Sequence, residues 1–247
     1  MTNLASLGDE LSVAVFGASG GIGRAFVNTL ASDPNVRQVL TFSRTDFGPT
    51  PDRVSGHSLD LEDETSIEQA SQVIAECGPL HLALVATGML HDETAQPEKR
   101  ARDLSALAME HVFRANAIGP ALIAKHVLPR LARDRKAVFG ALSARVGSIT
   151  DNQLGGWHSY RASKAALNML IRTHAIELAY RNPKAVCVSL HPGTVNTGLS
   201  EPFQRNVSQE KLFTPDFAVA QMLHVLDSLT PADSGGFFAW DGQPIPY

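Results

Sequence analysis

The hydrophobic pattern of the chain switches between two periods. Short, nearly continuous apolar runs at Leu11–Phe16, Val36–Phe42, Leu80–Ala86, Ala137–Ser143, Ala185–His191 and Gly236–Trp240 predict buried strands. Between them, helix-like stretches fall at Arg24–Leu30, Glu64–Glu76, Leu104–Leu131, Tyr160–Tyr180 and Pro215–Leu229. Strands that alternate with helices argue for parallel pairing. The predicted class is therefore α/β, a single-domain doubly wound parallel sheet over residues 1–247 with helices on both faces. Ligands of such sheets bind outside the carboxyl ends of the strands, where the strand order reverses. The polar, Pro-containing segment His91–Arg102 reads equally as a solvated loop or as part of a site.

The first run leads directly into Gly17-Ala18-Ser19-Gly20-Gly21-Ile22-Gly23 and then into a helix. A strand that turns through glycines into a helix leaves backbone N–H groups and the positive end of the helix dipole pointing at the turn, which suits a pyrophosphate. The glycines permit the tight turn and the close approach of a ligand.

In the second half, Tyr160 and Lys164 stand one helical turn apart and leave the same face of a helix. A phenol with a pKa near about 10 is a poor acid or base at neutral pH, and a fixed cation beside it favours the phenolate. The pair is a candidate proton-transfer device.

Together these segments resemble the short-chain dehydrogenase/reductase family, whose pattern is a TGxxxGxG turn near the N-terminus and YxxxK in the second half. Gly17, Gly21 and Gly23 take the glycine positions, with Phe16 in place of the usual threonine. Asp60-Leu61 matches the segment that holds the adenine ring, Asn116 the active-site asparagine of the following helix, and Pro192-Gly193-Thr194-Val195-Asn196-Thr197 the PGxxxT loop beside the nicotinamide. Val85-Ala86-Thr87-Gly88 replaces the family's NNAG, so Ala86, Thr87 and Gly88 are expected to flank the coenzyme through their backbone. The resemblance covers nearly the whole chain. It implies a Rossmann-type coenzyme domain in which Ser19, Gly20 and Ile22 join the glycines, and Pro192, Gly193, Val195 and Thr197 border the nicotinamide. Tyr160 would transfer the proton, and Lys164 would lower its pKa and hold the nicotinamide ribose. Asn116 would fix a helix kink or a water on the path to Lys164. Family members commonly pair long helices across a twofold axis, so a homodimer or homotetramer is expected.

Two places decide finer points. After the second strand, Ser43-Arg44 stands where NAD-binding folds carry an acidic residue for the ribose, and a guanidinium there binds a 2′-phosphate. NADP(H) is the expected coenzyme, with NAD(H) possible, and selectivity would weaken if Asp46 faced the ribose. The family's active-site serine, three residues before Gly147, is Ala144 here. Ser143 and Ser148 are the two candidates to replace it, with Ser148 slightly ahead because strand alternation turns Ser143 away from an Ala144-like position. The segment Ser148–Ser159, the run Gly155–Asn168 and the ending Phe237–Tyr247 are most similar to the C-factor and sniffer-type carbonyl reductase branch. That branch implies either reduction of small-to-medium carbonyls or a coenzyme-binding signalling protein with weak or no turnover.

Bulk properties set limits. The chain has 247 residues, is 44% hydrophobic, and carries a net charge of −4, without a Lys/Arg run that would mark a nucleic-acid or anionic-membrane partner. No apolar stretch approaches the roughly 18 to 20 residues a spanning helix needs, and the N-terminus does not resemble a secretion signal, so a cytoplasmic protein is expected. Cys77 and Cys187 lie in unrelated elements, and no histidine forms a metal-ligand spacing.

Overall fold

A computed structural model describes residues 4–45, 48, 52–206 and 208–247. Asp46 therefore lies outside the described residues. Seven strands form one parallel sheet: β1 (Leu11–Phe16), β2 (Val36–Ser43), β3 (Val54–Ser58), β4 (Leu82–Val85), β5 (Ala137–Leu142), β6 (Ala185–His191) and, after the pair β7 (Thr194–Val195) and β8 (Leu212–Phe213), β9 (Phe237–Ala239). Their order is β3-β2-β1-β4-β5-β6-β9. The chain reverses direction across the sheet between β1 and β4, which places the ligand crevice at the ends of those two strands.

Successive side chains of each strand feed opposite faces. Val13 and Val15 of β1 join a core with Phe26 and Leu30 of α1 (Gly21–Ala31) and Met222 and Leu226 of α6 (Pro215–Ser228). Ala14 and Phe16 join another core with Ile67 of α2 (Glu64–Glu76), Ile123 of α4 (Gly119–Val127) and Leu167 and Ile171 of α5 (His158–Arg181). Burial on both faces explains why the strands read as continuous apolar runs.

The predicted strands and helices are found with small shifts at their ends, but two features differ. Edge strand β3 was not predicted: only Val54 of its five residues is fully buried, so it leaves no apolar signature. The expected single helix over Leu104–Leu131 is broken. It runs as α3 (Ala106–Phe113), a π-helical turn at Arg114–Ile118, α4 and a 3-10 turn at Leu128–Arg130. A π turn of this kind commonly marks a functional position. Among the described residues, no helix is long and apolar enough to cross a membrane.

Candidate active site

The glycine turn is built by contacts that exclude any side chain. Gly17 ends β1 with a φ of +82°, and a Cβ there would sit 2.9 Å from the Thr87 nitrogen. A Cβ on Gly23 would lie 2.1 Å from the Gly17 oxygen, so the first turn of α1 can close on the strand end only without one. Gly21 makes the same allowance for Thr197, whose Cγ2 would be 2.7 Å from a Cβ. The α1 N-terminus carries no side-chain cap on Gly20, which leaves its first N–H groups to the crevice.

Around this turn lies a cleft of about 410 Å³. Gly17, Ser19 and Gly20 line one side, and Ser43, Arg44, Asp60 and Leu61 the far end. Ala86, Thr87 and Gly88 form its floor, where the Thr87 hydroxyl is buried without a partner. A Cβ-free cradle at a helix N-terminus, an exposed guanidinium and an unpaired floor hydroxyl fit a dinucleotide phosphate and ribose. Ser43 and Arg44 are not equivalent here. The Ser43 hydroxyl donates to the Thr45 oxygen at 2.6 Å, while the Arg44 side chain is exposed at the rim.

A second cavity of about 340 Å³ lies beside the start of α1 at Ile22. Ile22, Pro192, Gly193, Val195 and Thr197 line it on the coenzyme side, and Tyr160 faces it from α5. Ser143 and Ala144 both border it, whereas Ser148 is buried and its hydroxyl accepts the Asp151 N–H at 3.1 Å. The expected preference for Ser148 is therefore reversed. Alternation fails as an argument because β5 ends at Leu142, so Ser143 and Ala144 lie beyond the pleat. The Ser143 hydroxyl is buried without a partner at the cavity wall.

Asn116 sits at 0% exposure in the π turn. Its Oδ1 accepts the Met89 N–H at 2.8 Å and its Nδ2 donates to the Met89 oxygen at 2.8 Å and to the Ser163 hydroxyl at 3.1 Å. The asparagine thus locks the segment after β4 to the turn of α5 that separates Tyr160 from Lys164. Lys164 lies beneath Gly88 and donates to the Leu142 oxygen at 2.9 Å, with its Nζ 6.0 Å from the Tyr160 ring centre.

The electrostatics of this pair correct the sequence expectation. Burial pushes the Tyr160 phenol up to about 12 and the Lys164 ammonium down to about 7. Low dielectric disfavours both charges, and at this separation the lysine does not offset that cost for the phenol. The stability consequence has a definite sign. Between about 7 and 10.5 the unfolded chain holds a proton on Lys164 that the folded chain has lost, so stability rises with pH across that window. Above 10 the Tyr160 phenol reverses the slope, because the unfolded chain then ionises first. Lys164→Met should raise the melting temperature of the coenzyme-free protein most at pH 6 to 7, with the gain shrinking toward pH 10. Thermal melts across this range check it.

Three further residues, His191, Phe203 and Trp157, line the second cavity. His191 lines it with an unpaired, buried Nδ1, and burial followed by the Arg145 charge pushes its pKa down to about 4. Phe203, in the 3-10 turn Glu201–Asn206, packs on Trp157 with ring centres 5.1 Å apart and on His91 at 5.6 Å. Trp157 opens α5 with a φ of +53°. Of the three, His191 went unread in the sequence, and its place just before Pro192-Gly193 was the available signal.

Known proteins match this arrangement. The short chain dehydrogenase family profile matches residues 12–208. The C-signal protein of Myxococcus xanthus is 37% identical over 145 residues, which cover 59% of this chain and 82% of that one. A 1-hydroxy-2-glutathionyl-2-methyl-3-butene dehydrogenase of Rhodococcus sp. (strain AD45) is 37% identical over 127 residues, covering 51% of this chain and 53% of its own length. The NADPH-bound carbonyl reductase from chicken fatty liver superposes with a TM-score of 0.83 at 28% identity, over 97% of this chain and 100% of that one. Carbonyl reductase Sniffer of D. melanogaster shares the fold, with a TM-score of 0.84 at 22% identity over 97% and 100% of the two chains. A profile match that begins inside β1 and runs past the Pro192 loop takes in both cavities, and the chain therefore belongs to the short-chain dehydrogenase family.

Proposed function

We propose that this protein is an NADP(H)-dependent carbonyl reductase or alcohol dehydrogenase acting on small-to-medium, largely apolar substrates. The observation that carries this reading is the Tyr160 phenol and the Ser143 hydroxyl, unpaired among the described residues, bordering one cavity that Ile22 of the glycine turn also lines. The Gly17–Gly23 turn and the Pro192–Thr197 loop would hold the coenzyme, which when bound would supply or accept the hydride. In reduction, Tyr160 gives its phenolic proton to the carbonyl oxygen while Ser143 donates a hydrogen bond to the same oxygen. Lys164, near the middle of its titration at neutral pH, can carry a proton toward Tyr160 as well as hold the coenzyme ribose. Asn116 keeps the Met89 segment and α5 in register during the exchange. An NADPH-oxidation assay with reactive aldehydes, ketones and quinones tests the reading, and no turnover with any of them would overturn it.

NADP(H) preference is part of the proposal and rests on Arg44. Arg44→Ala should weaken NADPH binding by about tenfold or more, the worth of a charge-assisted phosphate bond, and leave NADH binding unchanged. Fluorescence titration of both coenzymes checks this, and equal losses would remove Arg44 from the phosphate.

A second reading has its own support. Ala144 stands at the family's serine position, and C-signal is among the relatives. Tight NADPH binding without turnover would favour a coenzyme-binding signalling protein. We further propose one coenzyme-binding domain, a cytoplasmic location and a homodimer or homotetramer. Assembly is supported by Met169, Ile176 and Tyr180, which share one face of α5 and are 66%, 52% and 87% exposed.

A further inference from the structure

The segment that follows β4 reaches the catalytic helix at a second point besides Asn116. Glu98 is only 5% exposed, an unusual place for a carboxylate. Its Oε2 accepts the Ser159 N–H at 3.1 Å, its Oε1 accepts the Ser159 hydroxyl, and its backbone oxygen accepts the Trp157 N–H at 2.6 Å. Burial opposes the charge, but the Ser159 hydroxyl, the Glu98 and Ser159 backbone N–H groups and the His158 charge together outweigh it and hold Glu98 below the ordinary carboxylate range. Trp157, the residue before α5, supplies no side-chain cap, so a residue from a distant segment caps this helix. A negative charge at that end also suits the helix dipole.

What Glu98 holds is the mouth of the site. Trp157 has a left-handed backbone, packs edge-on against Tyr160 with ring centres 6.2 Å apart, and forms the surface on which Phe203 rests. His91, from the same segment as Glu98, is the other ring in contact with Phe203. We infer that the Glu98 side chain is a positioning group: by capping α5 at Ser159 it sets where the Trp157 ring, the Tyr160 phenol and the Phe203 wall stand relative to a bound carbonyl. This role rests on the proposed reductase reading only for its effect on turnover.

The test uses Glu98→Ala, Glu98→Gln and Ser159→Ala in the full chain, with NADPH and a carbonyl that the wild type reduces. Glu98→Ala should lower kcat by about ten- to a hundredfold, as a misplaced reacting group does, with NADPH affinity within about twofold of wild type. Glu98→Gln, whose amide oxygen still accepts the Ser159 N–H, should recover most of kcat. Adding Ser159→Ala to Glu98→Ala should cost little more, because both remove the same link. If kcat stays within about twofold, or if it falls only in step with NADPH affinity and melting temperature, Glu98 is a structural residue and the inference is wrong. Acrylamide quenching of Trp157, measured with Trp240→Phe in place, needs no turnover and should increase in Glu98→Ala. Unchanged quenching would overturn the inference whatever the activity, while an inactive wild type with increased quenching would sink only the reductase reading. If Glu98→Ala does not fold, Glu98→Asp, with a reach shorter by one methylene, carries the same comparisons.

Discussion

Tyr160→Phe should lower carbonyl turnover by about a thousandfold while NADPH affinity stays within about twofold of wild type. General acid catalysis by a positioned side chain is worth roughly a hundred- to ten-thousandfold, and this phenol, the proposed proton donor, borders the second cavity. Phenylalanine keeps the buried ring and its contact with Trp157, so the substitution should leave the fold intact. The high pKa of the Tyr160 phenol, near 12, sets the direction of the pH profile. The protonated donor needed for reduction persists to high pH, whereas alcohol oxidation, which needs the phenolate, should keep rising with pH well beyond neutrality. Stopped-flow measurement of NADPH oxidation and a parallel oxidation assay from pH 6 to 10 check both statements. Retained turnover in Tyr160→Phe would show that another group delivers the proton.

Ser143→Ala should lower turnover by about a hundredfold, and Ser148→Ala by far less. A hydroxyl that donates to the developing alkoxide typically contributes two to three orders of magnitude. Ser143 borders the Tyr160 cavity with its hydroxyl unpaired, while Ser148 is committed to the Asp151 backbone inside its own turn. NADPH affinity should hold in both variants, because neither serine lines the glycine-turn cleft. The reverse order of effects would return the role to Ser148 and show that the turn at Ser148–Asp151 opens on binding. No effect from either would mean that Tyr160 holds the substrate oxygen with a backbone donor.

The parts of this site that could be read from the sequence are those where geometry restricts the residue type. Gly17 and Gly23 are required by contacts of 2.9 and 2.1 Å that no side chain survives, and Tyr160 and Lys164 are fixed by the pitch of a helix. The sheet was readable because burial on both faces leaves continuous apolar runs. Edge strand β3, with Ser55, Gly56 and Ser58 beside one buried valine, has no such pattern. The choice between the serines turned on where β5 stops, a boundary set by hydrogen bonding and not by composition. Glu98 was missed for a related reason: an acidic residue in a polar, Pro-containing segment reads as solvated, and only the three-dimensional path of His91–Arg102 brings it to the unsatisfied end of α5. Arg114–Ile118 carries the composition of an ordinary helix, so only the resemblance, through Asn116, pointed to a kink there, and nothing marked it as a π turn.

That turn makes the rod from Ala106 to Val127 one residue longer than a uniform helix filling the same span. Removing a single residue between Arg114 and Ile118 would let the rod become regular and gain backbone order. The flanking turns would keep their places, and what would be lost is the bulge that carries Asn116 to Met89. In most helices length is negotiable and the buried stripe is not. Here the one surplus residue is itself a constraint, so loss of a residue between Arg114 and Ile118 should spare the helix and cost the Asn116 contacts.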